Sequence, residues 1–443
     1  MNKMKVTKKF KELQRNTKGI TLVALVITIV ILIILAVVTI SFTFGGGLIE
    51  RAEQAKEFYA NDTKYTEDSL SNVTAYMNEV LSGIVGDSGG GDVTEGWDKS
   101  KVTAVESEDE EPVTVPVPIG YTASKVTGEN KVQEGFVIYE GTEEVNDENV
   151  AEAKTSRNQF VWVPVDDISK MANQISGTDG NGRQNYQGKL YDFSTSRATW
   201  NQRYVPGSTK WREPDIVTEL DGSDATDDAS YFKSAISTTM TGEEFKTQLE
   251  QEYNEMVTSV KTYGGFYIGR YETGNLAKDT TTEPVVVKEN NSISNVNWYY
   301  QYQNSKKIAA NNNVTSTMIW GSMYDRTLIW LTETGEKSYA ELKDSRSWGN
   351  YRDSEGEAET GSGEKRETGY SEAWKANNIY DLAGNVSDWT IEASDTYERV
   401  LRGGSYIESS SDYPASHRSG NYSGNTGSDW GSRSALFVAL NAE

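Results

Sequence analysis

The sequence predicts an α+β protein: one long N-terminal helix, then a loop-rich domain of short strands and a few helices. Three observations carry that expectation. An uninterrupted apolar run fills residues 20–44, and helical spacing of apolar residues continues behind it. After about residue 111 the chain turns to short β-like runs among 25 Tyr, 11 Trp and 39 Gly. Inside that second region one stretch, Gly242–Val260, keeps helical periodicity behind a Thr cap. The 443 residues carry 66 acidic against 43 basic side chains, a net charge of −23, which argues against a nucleic-acid partner because phosphate would be repelled. With no cysteine the chain has neither disulfides nor a thiol nucleophile, and with one histidine, His417, it has no multi-histidine metal centre.

The N-terminal elements read in order. Residues 1–18 hold seven Lys/Arg (Lys3, Lys5, Lys8, Lys9, Lys11, Arg15 and Lys18) against Glu12, so the remainder of the chain sums to about −29. The apolar run Ile20 to Phe44 follows at once, and no charge stands between Lys18 and Glu50. As helix it measures roughly 37 Å, enough to cross a hydrocarbon core of ~30 Å. The basic flank keeps the N-terminus cytoplasmic and sends the rest of the chain outward. A basic leader ending in Lys18-Gly19 directly before Ile20-Thr21-Leu22 resembles the class III signal of type IV prepilins. The resemblance implies cleavage between Gly19 and Ile20 by a prepilin peptidase, with other pilin subunits or the membrane as partners. Major pilins carry glutamate at the fifth mature position, which here is Ala24. An unpaired terminal amine in an apolar filament core is costly, so a minor or tip subunit, or a membrane-held monomer, is expected.

Gly45-Gly46-Gly47 soften the helix, after which Leu48, Ala52, Ala55, Tyr59, Thr66, Leu70, Val73, Met77 and Leu81 recur at three- and four-residue spacing. The helix expected over 20–82 is therefore roughly 95 Å long if continuous. Residues 83–111 read as a flexible, acidic linker that includes a solvated spacer over 97–111. Strands are expected in FVIYEG (136–141), NQFVWVPV (158–165) and the glycine-entered run from Gly264. Helices are expected at Gly242–Val260, with Thr241 and Glu244 as a capping box, at Thr315–Glu333, and in the turn before Asn378.

IYDLAGNVSDWT (379–390), RVLRGGSY (399–406) and SALFVAL (434–440), preceded by FVWVPV (160–165) and FYIGRYETG (266–274), are similar in order and spacing to the formylglycine-generating-enzyme, or sulfatase-modifying-factor, family. The resemblance covers roughly 112–443 and implies a C-type-lectin-like α+β fold. The motif residues also have a plain structural reading: Gly384 and Asn385 suit a turn requiring positive φ, Trp389 a core aromatic, Gly403-Gly404 close backbone packing and Arg402 a salt bridge. A calcium ion on Asn385 and Asp388 is a further family feature; Asp388 stands where the family has glutamate.

Catalysis is not expected. The family's oxygen chemistry runs on a cysteine pair, and its ergothioneine-type relatives on three histidines; this chain has no cysteine and one histidine. No cofactor is required for what remains, which is ligand display on the lectin-like scaffold, as in relatives diversified by retroelements. The expected protein is a surface-displayed, pilin-like adhesin that binds a protein or glycan; the alternatives are a structural pilin or envelope protein, and a divergent enzyme. The diversified relatives carry their variable region just after the RVLRGGS motif, here 405–434, where 17 of 30 residues are Ser, Asn, Asp or Tyr. Paratopes favour these types. Tyr406, Asp412, Tyr413, His417, Asn421, Tyr422, Asn425, Asp429 and Trp430 are the candidate ligand contacts, with an ordinary polar loop as the plainer reading of the same residues.

Overall fold

The computed structural model describes residues 93–166, 168–171, 226–275, 283–309, 311–393 and 398–440. The prepilin junction at Gly19 and Ile20, the helix expected over 20–82 and the first part of the linker lie outside the described residues. Among the described residues no helix is long and apolar enough to cross a membrane.

The first strands correct the linker expectation. β1 (Val102–Glu106) and β2 (Thr114–Pro118) form an antiparallel hairpin, so the acidic turn at 107–113 is solvated while its flanks are structural. Trp97 and Val102 pack with Tyr263 and Val438, and the Lys101 amine donates to the Ala439 carbonyl at 2.5 Å. The apolar alternation in VTAVE and TVPVP was the signal, masked by the charges between them.

β3 (Tyr121–Ala123), β4 (Val137–Glu140), helix α1 (Val150–Ser156) and β5 (Gln159–Pro164) come next. Helix α2 (Thr226–Ala235) precedes α3 (Gly242–Tyr263), where the Thr241/Glu244 capping box forms as expected. Gly264, at φ +79°, ends α3 in the left-handed conformation that glycine adopts freely and turns the chain into β6 (Gly265–Gly269). A small three-stranded sheet follows from β7 (Gly274–Asn275), β8 (Pro284–Val285) and β9 (Asn291–Ser292). Then come α4 (Trp298–Lys306), β10 (Val314–Met318), α5 (Gly321–Glu333) and α6 (Tyr339–Lys343).

The helix expected at Thr315–Glu333 is thus split. Its start, in VTSTM, is rich in β-branched residues, which favour a pleated strand. β11 (Lys375–Ala376) and β12 (Ile379–Tyr380) make a tight hairpin through Asn377 and Asn378, at φ +42° and +61°. β13 (Ser387–Ala393), β14 (Glu398–Arg402), β15 (Arg418–Tyr422), β16 (Trp430–Ser432) and β17 (Ser434–Val438) complete the described strands.

The main sheet runs β10-β17-β6-β5-β4-β3, antiparallel throughout. Its strands are buried on both faces, and alternate residues enter opposite cores. Val137, Tyr139, Val161, Val163, Phe266, Ile268, Ala435 and Phe437 pack with Phe245 and Leu249 of α3 and with Met323 and Leu328 of α5. Ile138, Phe160, Trp162, Tyr267 and Leu436 pack instead with Val115 and Val117 of β2. A second sheet, β15-β14-β13-β16, has β16 parallel to β13 and its other pairs antiparallel. The segment Ser405–Ser434 is built on this sheet.

Candidate ligand-binding site

The C-terminal segment is anchored by backbone before any side chain is placed. After β14, Gly403 and Gly404 take φ +85° and +69°; a Cβ on Gly404 would lie 2.0 Å from the Tyr413 carbonyl oxygen, so only glycine fits. The following turn closes as Asp412 and Tyr413 donate their N–H groups to the Ser409 carbonyl, while Asp353 accepts from the Ser410 N–H and the Ser409 hydroxyl. β15 then returns along β14, pairing Arg402 with Arg418 and Glu398 with Tyr422. The Asp429 carbonyl accepts from Ser387 N–H as β16 begins.

Against that frame the nine candidate contacts separate. Tyr413 is 37% and Tyr422 57% exposed, and Asp412 and Asn425 are exposed as well. Tyr406, Asn421 and Asp429 are half-buried. Asn421 turns inward on its own loop, its Oδ1 accepting from Tyr422 N–H and Asn425 Nδ2. Two residues depart from the expectation. His417 is buried, because the 414–418 stretch dives under α6: Ala415 N–H donates to Ser345 Oγ and Ser416 N–H to the Leu342 carbonyl. Its ring packs on Tyr413 with centroids 4.5 Å apart. Trp430 sets its ring edge-on to Trp389, 5.6 Å between centroids, and packs on the main core. Ile407, 50% exposed, sits in the same segment and was passed over in the sequence because a lone aliphatic residue gives no signal there.

Two buried charge clusters lie under this segment. In the first, Asp325 pairs with Arg402 at 2.6 Å and Arg418 at 2.7 Å, and Arg418 reaches Glu392 at 2.8 Å, all four side chains being 0–1% exposed. The salt bridge expected of Arg402 is this one. In the second, Arg433 pairs with Asp388 at 3.1 Å and donates to the carbonyls of Gly269, Tyr380 and Asp381. One guanidinium there faces three carboxyls, Glu272, Asp381 and Asp388. Burial pushes Asp381 and Asp388 up to about 6, and burial together with these two neighbours raises Glu272 well above the usual carboxylate range. Nearer the surface, burial and the Asp429 charge push Glu408 up to about 7; Ser405 bridges the two, its hydroxyl within reach of both carboxylates.

At Asn385 and Asp388, where a calcium ion is expected together with neighbouring carbonyls, several of the polar atoms are already engaged within the protein. The Asn385 Oδ1 already accepts from Asn350 Nδ2 and the Arg366 N–H, both at 3.0 Å, and its amide donates to Glu272. Asp388 Oδ2 accepts from Arg433, while its buried Oδ1 has no hydrogen-bond partner among the described residues. Asn385 holds a turn at φ +58°, the structural role expected of it. Among the described residues no group of three or more His, Asp or Glu side chains is placed to hold a metal.

A second concave feature, not anticipated from the sequence, lies beside Arg270. A cleft of about 540 Å³ is walled by the 126–134 loop, Lys154 of α1, the turn after α5 and the β11–β12 hairpin. Glu129 accepts from Arg270 Nη2 at 2.7 Å, Lys154 Nζ at 3.1 Å, Ser124 Oγ and Tyr139 OH. Those two cations outweigh burial and hold Glu129 down at about 2. Asn378 Nδ2 donates to the carbonyls of Gly128, Glu134 and Gly135, tying hairpin to loop.

Residues 232–437 match the family model of the sulfatase-modifying factor enzyme 1-like domain. That stretch contains the 266–274, 379–390 and 399–406 motifs, and in the structure it is built of mixed helix and sheet. No curated protein matches the chain. Solved structures similar to it include two. One is described as the crystal structure of CarF, with 13% identity, 40% of this chain and 87% of that chain covered, and a TM-score of 0.27. The other is Treponema denticola variable protein 1, with 15% identity, 76% and 92% covered, and a TM-score of 0.21.

Proposed function

We propose that the C-terminal domain is a non-catalytic, lectin-like ligand-binding head, displayed at the cell surface on a pilin-like N-terminal helix, with the loops of 405–434 as its ligand face. The exposure of Tyr413 and Tyr422 is the observation that supports it most directly. This domain buries Trp298, Trp320, Trp348, Trp374 and Trp389 completely, yet leaves those two tyrosines, like Tyr300 and Tyr370 elsewhere, in solvent, on a segment whose Arg418, Ser423 and Arg433 are locked inside. Rigidly mounted tyrosines offer large contact area at low entropic cost. The lack of cysteine and the burial of the single histidine remove the side chains on which the related oxygen chemistries depend.

The test is binding of the full-length protein to an array of glycans and purified surface proteins. A Tyr413→Ala/Tyr422→Ala double variant is expected to lose at least about tenfold in affinity. Unchanged binding would move the ligand face elsewhere, and an array with no hits for the native protein would remove the ligand-binding reading. The pilin-like half of the proposal is checked by mass spectrometry of the native protein: an N-terminus at Ile20 is expected, and intact Met1 would sink it.

A further inference from the structure

The cleft beside Arg270 shares no lining residue with segment 405–434, and its about 540 Å³ falls within the ~300–1,000 Å³ that small ligands occupy. Its lining includes four carboxylates, Glu129, Glu134, Glu336 and Glu372, and three cations, Lys154, Arg270 and Lys375. These charges are matched within the protein. Glu129 holds Arg270 and Lys154, Glu372 holds Lys375 at 2.9 Å, and Glu134 and Glu336 hold Lys131 and Lys337 at 2.7 and 3.3 Å. An anion entering here would have to displace Glu129 and would meet three more carboxylates. A cation would have to displace a lysine or the arginine. Of these pairs only Glu129–Arg270 is buried on both sides, and there removing a partner is strongly unfavourable; Glu134, Glu336 and Glu372 are 37–63% exposed.

A neutral ligand meets neither obstacle. Paired carboxylates keep lone pairs that accept further hydrogen bonds, and paired ammonium groups keep protons to donate. Thr127, Gln133, Thr334 and Asn377 add uncharged polar groups to the wall. The Tyr380 ring is not free to stack on a ligand. It already lies on Tyr271, with centroids 5.1 Å apart, and has Arg270 and Lys375 each 5.7 Å from its centre. Stacking on that ring is therefore closed to a ligand, which leaves the polar groups of the wall.

We propose that this cleft binds a neutral polyhydroxylated ligand, a mono- or disaccharide unit, at a site separate from the C-terminal loops. The experiment uses the full-length chain, kept in a non-glycosidic detergent because of its apolar N-terminal run. It titrates lactose, maltose and mannobiose against glucuronate and glucosamine by calorimetry. Saturable binding of at least one neutral disaccharide is expected, with the two charged sugars weaker by about tenfold or more. Lys154→Gln and the rim variant Gln133→Ala should each weaken that binding several-fold. The proposal is overturned if none of the three neutral disaccharides binds, if a charged sugar is preferred, or if binding disappears in Tyr422→Ala but survives both cleft variants. The last outcome would leave the C-terminal ligand face standing.

Discussion

Arg270 and Glu272 stand two residues apart after the same strand, and they enter opposite kinds of buried charge cluster. On the cleft side one carboxylate, Glu129, is served by two cations, Arg270 and Lys154. Under the C-terminal loops one cation, Arg433, is shared among Glu272, Asp381 and Asp388. Both clusters are desolvated, so burial alone would push every carboxyl up. Local stoichiometry decides the outcome: Glu129 is held at about 2, whereas Asp381 and Asp388 rise to about 6. The cleft side is built to stay charged, and the loop side to hold protons.

The largest effects come from removing the minority partner on each side. Glu129→Gln strands Arg270, and Arg433→Met strands Asp388 together with three carbonyls; each should cost about 3–5 kcal/mol in urea unfolding at pH 7. Their pH behaviour should differ. Glu129 stays ionised in both folded and unfolded chains above about pH 5.5, so its loss is flat from there to pH 8. The carboxyls around a missing Arg433 can take up protons, so that variant should recover part of its stability at pH 5. Equal losses at pH 5 and pH 7 for Arg433→Met would break the comparison.

A smaller effect follows from the titrations themselves. Asp381 and Asp388, at about 6 against an ordinary 3.8, and Glu408, at about 7 against 4.5, bind more protons folded than unfolded. Their contribution is complete below pH ~4 and is lost as pH rises toward 7. Glu129 is the reverse case, its contribution present above pH ~4.5 and lost as pH falls toward 2. Asp381→Asn removes one proton-holding group while keeping the acceptor for Gly369 N–H, and asparagine tolerates the φ of +56° there. Midpoints measured from pH 5 to 8 should show a shallower decline, with a gain on the order of 1 kcal/mol at pH 7.5. An unchanged slope would place the titrating group elsewhere.

These clusters show what local sequence can and cannot carry. The α3 helix and its capping box were legible because the information lies within four residues, and β5 and β6 because a buried strand reads as an apolar run. The β1–β2 hairpin was missed because its two short strands flank an acidic turn whose composition dominates the window. The start of Thr315–Glu333 was misread because apolar density alone does not separate a β-branched strand from a helix. In the site, Gly404 and Tyr422 were legible as a motif glycine and as a residue in a tyrosine-rich loop. The burial of His417 was not, since it depends on Leu342 and Ser345, some 70 residues away. The cleft was least legible of all: Glu129, Lys154, Arg270 and Asn378 come together only through tertiary folding.

The smallest effect sharpens the comparison where the loop side meets solvent. Tyr422 closes β15 opposite Glu398 and is 57% exposed. Its hydroxyl and ring hold nothing in the interior, so Tyr422→Ala should change stability by no more than about 0.5 kcal/mol. Trp430 lies eight residues on in the same segment, with its ring against Trp389 and the main core. Being half-buried, it should lose about 2 kcal/mol on truncation, less than the ~3–5 kcal/mol of a fully buried tryptophan. The pair of variants separates the two layers of the loop side by thermal denaturation at one pH, without any ligand. If Tyr422→Ala proves as costly as Trp430→Ala, the tyrosine is part of the scaffold and its exposure ceases to support a ligand face. If only Trp430→Ala is costly, Tyr422 is a surface residue that the fold does not need, and Trp430 is unsuitable for testing binding because its removal loosens the sheet beneath.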